Sequence, residues 1–76
     1  MLGRDSEAVA HLEATIELNE QTEARPWAAY ARVDLAEVLL DLGDAARARD
    51  LLEEARATAT TLGMTALQNR VAILRS

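Results

Sequence analysis

Seventy-six residues with a net charge of −5 and no cysteine make a chain of single-domain size, one that buries only about 60% of the surface its unfolded form exposes. Without thiols there is neither a disulfide framework nor a thiolate metal or redox site, so a reducing cytoplasm is the expected location. No apolar run approaches the roughly eighteen residues that span a bilayer, and no cluster of basic residues is present to release counterions from a phosphate backbone; neither a membrane nor a nucleic acid is an expected partner.

Half the residues are apolar, yet Trp27 and Tyr30 are the whole aromatic content and phenylalanine is absent. A core built from Ala and Leu follows. Those residues head the helix-propensity ranking, while Gly and Pro are few and β-branched residues are scattered, so the chain is expected to be all-α.

In chain order, the first helix is expected from about Ser6 to about Glu23. Asp5 or Ser6 serves as its cap, and Val9, Leu12 and Ile16 recur on one face. Its sequence is acidic: residues 1–24 hold Arg4 against Asp5, Glu7, Glu13, Glu17, Glu20 and Glu23, a pattern expected of a solvated helix face. The second helix begins at Pro26, whose fixed φ and missing N–H suit a first turn, and carries Ala31, Leu35, Val38, Leu39 and Leu42 to a stop at Gly43. Asp44 caps the third, which runs through Ala48, Leu51, Leu52, Ala55 and Ala59 to Leu62-Gly63. A shorter fourth helix covers residues 64–76, with Met64, Leu67, Val71 and Leu74 along one stripe. The connections are a few residues long, so neighbouring helices are expected to run antiparallel.

One segment occurs twice. Leu2-Gly3, Ala8 and Leu12-Glu13 return as Leu42-Gly43, Ala48 and Leu52-Glu53, a fixed period of the kind that marks stacked helical hairpins. The stretch Leu35-Ala36, Leu39, Leu42-Gly43-Asp44, Ala48, Leu51-Leu52 and Ala55 resembles the consensus of a tetratricopeptide repeat over the central hairpin. Departures are Ala36 and Leu39, where the family usually has Gly and Tyr, Ala45 in place of the loop tyrosine, and Thr15 where the second copy has Ala55. The resemblance implies a short right-handed solenoid of antiparallel helical hairpins, divided into a half repeat (1–24), a whole one (25–62) and a half one (63–76). Long Ala/Leu/Arg-rich repeats ending in a segment like Thr61-Leu62-Gly63-Met64 are also similar to the C-terminal repeats of large bacterial ATPase-type transcriptional regulators and cyclase-linked proteins. That likeness implies a regulatory segment as the alternative function.

What the family resemblance implies first is a non-enzymatic protein-interaction module needing no cofactor. Its groove would show Tyr30, Val33, Glu37, Leu40 and Asp41. Family members that grip a C-terminal carboxylate use Lys and Asn at positions matched here by Val33 and Glu37, so a basic or apolar peptide is the expected ligand. A second expectation concerns the two ends, where Val9, Leu12 and Ile16 on one side and Leu67, Val71 and Leu74 on the other are candidate contacts for a homodimer or a domain-swapped pair.

Chemistry finds little support in the residues. His11 is the only histidine and lies one turn from Glu7, an arrangement of a surface residue more than of a ligand or base. A phosphotransfer domain favours Lys and Gly shortly after its His, which Leu12-Glu13-Ala14-Thr15 does not supply. A carrier protein has an apolar residue after its modified serine, whereas Glu7 follows Ser6. Gly3, Gly43 and Gly63 are isolated and build no phosphate loop.

Overall fold

The computed structural model describes the backbone of residues 2–22 and 24–75 and the side chains of residues 7–22 and 24–75. It contains four helices: α1 (Leu2–Gln21), α2 (Arg25–Asp41), α3 (Ala45–Leu62) and α4 (Thr65–Arg75). Among the described residues there is no strand, and no helix is long and apolar enough to cross a membrane.

The interior boundaries follow from local chemistry. At Gly43 (φ +87°) and Gly63 (φ +69°) the chain turns into the left-handed region, which costs glycine least. Each glycine closes the helix before it with a reciprocal pair of hydrogen bonds. Gly43 N–H donates to Leu40 O and Asp44 N–H to Leu39 O; Gly63 N–H donates to Thr60 O and Met64 N–H to Ala59 O. Both ends are therefore Schellman motifs, with glycine one residue past the end of α3 and two past the end of α2. Asp44 at once starts α3, its Oδ1 accepting from Arg47 N–H at 3.2 Å.

The first helix departs from expectation. It begins at Leu2 and runs through Asp5 and Ser6, which are therefore not its caps, and it ends at Gln21; Glu23 lies outside the described residues. The sequence echo thus conceals a backbone difference. Leu42-Gly43 is a turn because Gly43 closes α2, whereas Gly3 closes no helix and takes helical backbone.

Helix α2 is the centre of the stack. It packs against α1 on one side and α3 on the other, while α4 lies mainly on α3 and touches α2 lightly; the backbones of α1 and α3 do not meet. Small residues set these spacings, since Ala29, Ala36, Ala48, Ala55 and Ala59 are completely buried and let the helix axes approach closely. Leu35, Val33, Leu67 and Val71 are the largest side chains sealed from solvent.

That packing corrects the expectation about the ends. Ile16, Leu67 and Val71 are buried in the one core, and Val9, Leu12 and Leu74 are half-buried against it. All six face inward, which is how each terminal helix covers its neighbour. The outward side of α1 carries Glu7, Ala10, His11, Ala14, Glu17 and Gln21 with Leu18, and the outward side of α4 has Ile73 as its exposed large apolar residue. Among the described side chains, these six therefore form no free apolar stripe at either end.

Candidate interaction surface

Because Ala29, Val33 and Ala36 are sealed inside, the residues that α2 turns outward are determined by helical geometry. They are Trp27, Tyr30, Asp34, Glu37 and Asp41, spaced three and four apart and all exposed. At 3.6 residues per turn they fall within an arc of about 80°. This is one stripe along one helix, aromatic at its N-terminal end and anionic towards its C-terminal end.

The two aromatic rings lie side by side, their centroids 6.2 Å apart and their planes tilted by 40°. That separation lies within the range of favourable aromatic pairs. Trp27 is 66% exposed, an unusual placement for a residue whose burial contributes so much to a core. Further along, the carboxylates accumulate towards the C-terminal end of the helix, where its dipole already makes the potential negative.

Helix α4 reaches this stripe with one side chain. Arg70 Nη2 donates to Asp34 Oδ1 and to Glu37 Oε2, both at 2.8 Å. The hydrogen bond to Asp34 chiefly, with Glu37 adding to it, pushes the guanidinium pKa above its ordinary value against the opposing effect of desolvation, so Arg70 stays charged. Asp34 and Glu37 remain about half exposed and Arg70 about a third. Asp41 is exposed and has no such partner among the described residues.

The expected groove set is thereby rearranged. Tyr30, Glu37 and Asp41 are exposed on the stripe, whereas Val33 is completely buried and Leu40 is half-buried against the core. Val33 packs beneath the surface, where no ligand can touch it. Trp27 and Asp34, which the sequence reading left out, take their places. The signal was there: once the buried spacing 29, 33, 36 is assigned to the interior, the complementary spacing 27, 30, 34, 37, 41 follows. The role of Arg70 was not legible, because it depends on how α4 is placed against α2.

On the opposite side of α2, polar side chains join helices whose backbones stay apart. Arg32, only 13% exposed, pairs with Glu20 of α1, and its Nε lies 3.0 Å from Glu54 Oε2 of α3. The latter contact is ionic, since the N–H does not point at the carboxylate. Arg47 pairs with Glu13 at 3.0 Å, and Glu53 of α3 takes both Arg56 and Arg75. The exposed aromatic area lies instead on the α2 stripe, at Trp27 and Tyr30.

Catalytic chemistry gains nothing from the arrangement. His11 is exposed on α1, and no group of His, Asp or Glu among the described residues is placed to hold a metal. The Ser6 side chain lies outside the described residues.

Comparison with known proteins gives one match. The sequence model of the tetratricopeptide repeat matches residues 1–61, which take in α1, α2 and nearly all of α3. Members of that family generally mediate protein–protein interaction and are generally not catalysts. No curated protein and no solved structure gives a significant match.

Proposed function

We propose that this chain, which belongs to the tetratricopeptide repeat family, is a non-enzymatic protein-interaction module that receives a basic or apolar segment of a partner protein on the outward stripe of α2. In this reading α2 and α3 form one whole repeat, α1 is the second helix of a preceding repeat, and α4 is the first helix of a following one. The observation that carries it is the placement of both aromatic residues and three carboxylates on a single exposed arc, opposite an arc that is sealed by alanine, valine and leucine. Exposed aromatic area favours apolar contact and the carboxylates favour cations. Docking is preferred to self-association because Val9, Leu12, Ile16, Leu67, Val71 and Leu74 pack into the chain's own core.

Trp27 is the only tryptophan, so its emission reports on this face and nowhere else. Titration with a blocked peptide of alternating leucine and arginine is expected to give a saturating change in emission, and the counterpart with glutamate in place of arginine is expected to give none. Equal binding of the two peptides, or an affinity unchanged by Asp34→Asn with Glu37→Gln, would sink the proposal.

A further inference from the structure

The notch between Asp34 and Glu37 is not empty: a guanidinium already sits in it. Arg70 enters from α4 and satisfies both carboxylates with one nitrogen, at 2.8 Å to each. Charge-assisted bonds of this length are the strong ones, and their geometry is that of arginine on paired acceptors. Two further facts bear on what this contact does. Helix α4 is anchored on α3 by Leu67 and Val71, both buried, and by Gln68, whose side-chain amide donates to Ala59 O at 3.0 Å. Its approach to α2 is slight by comparison, and Arg70 supplies two polar links between the two helices. The Arg70 side chain can therefore leave α2 without loosening α4 from α3.

We infer that Arg70 is an internal competitor: it occupies the Asp34–Glu37 pair in the free protein and must be displaced by the arginine or lysine of a partner segment whose neighbouring apolar residue rests on Trp27 and Tyr30. This inference rests on the docking face proposed above and adds the partner's chemistry and a brake on its binding. Displacement is feasible because both carboxylates and the arginine are partly exposed, so solvent screens the internal pair and limits what it contributes. One turn of helix, about 6 Å, separates Tyr30 from Asp34, so a partner needs its apolar and its basic side chain on adjacent or nearly adjacent residues. Asp41, without an ion pair among the described residues, offers a second anionic contact further along the stripe.

The test reads the sign of an effect. Arg70→Gln removes a cation from the site while keeping a side chain of similar length, and it is expected to raise affinity for the leucine–arginine peptide about two- to fivefold, the size of an exposed ion pair. Arg56→Gln makes the same change in net charge on α3, where Arg56 pairs with Glu53, and is expected to leave affinity nearly unchanged. Adding Asp34→Asn and Glu37→Gln to Arg70→Gln is expected to abolish the gain. An unchanged or weaker affinity in Arg70→Gln, with helicity by circular dichroism equal to the parent, overturns the inference while leaving the docking face intact. An equal gain in Arg56→Gln also overturns it, since the effect is then long-range charge alone. If neither the parent nor Arg70→Gln changes Trp27 emission on titration, the docking face falls and the competitor with it.

Discussion

The two faces of α2 invert the usual distribution of side-chain size. The inner face, with Ala28, Ala29, Ala31, Val33, Leu35, Ala36 and Leu39, is made of small and medium residues, and the outer face carries the tryptophan and the tyrosine. Space explains the difference. Helix α2 is flanked on both sides, by α1 and α3, and close-packed interiors leave no room for an indole where alanine sets the spacing. An aromatic residue kept outside such a helix does little for its folding, which makes contact with another molecule the better account of it.

Substitutions on the two faces should separate by nature as well as by size. The largest effect belongs to the interior. Leu35→Ala removes one of the largest sealed side chains and is expected to lower stability by about 2–5 kcal/mol, read as a fall in the urea midpoint. A loss well under 1 kcal/mol would mean that α1 does not cover α2 as described.

Next in size is overpacking. Ala48→Leu places extra methyl groups where the α3 surface is completely buried and is expected to cost about 1–3 kcal/mol. A stabilised variant in thermal unfolding would show that the hairpin has spare volume. Gly43→Ala tests the turn alone, because its new Cβ meets nothing within 4 Å yet the backbone is left-handed at φ +87°. The expected cost is about 1–2 kcal/mol; a neutral result would indicate that the turn relaxes to another form. The smallest effect on stability belongs to the outer face. Trp27→Ala is expected to change stability by no more than about 0.5 kcal/mol while weakening peptide binding measured by calorimetry. Melting of the domain on this substitution would turn the outer face into core and erase the contrast.

Much of the fold was legible because its determinants are local. Gly43, Asp44 and Gly63 acted where they stand in the sequence, through a left-handed turn or a side-chain cap that involves only neighbouring residues. The start of α1 was misread for the same reason. Asp5 and Ser6 are good capping residues, but the backbone from Leu2 onwards is already helical, so neither stands at a helix start. In the candidate site, the family resemblance implied Tyr30, Glu37 and Asp41, which lie on the exposed stripe, and Val33, which is sealed one residue away from the exposed Asp34. A one-residue error on a helix is a rotation of about 100°, which is enough to exchange a sealed valine for an exposed aspartate.

The sequence by itself determined that this chain is four helices joined by tight turns, with alanine at the close approaches, since propensity, capping and periodicity act over a few residues. It determined as well that the charge would be mostly anionic near the front. Only the tertiary structure decided which apolar residues are spent and which face is free. The six candidate end residues were absorbed into one core because each terminal helix packs on a neighbour. The pairing of Arg70 with Asp34 and Glu37, thirty-six and thirty-three residues away, likewise depends on where α3 sets α4 down. Such distances carry no signature in a single sequence, because a guanidinium chooses among many carboxylates and only packing brings one pair within reach.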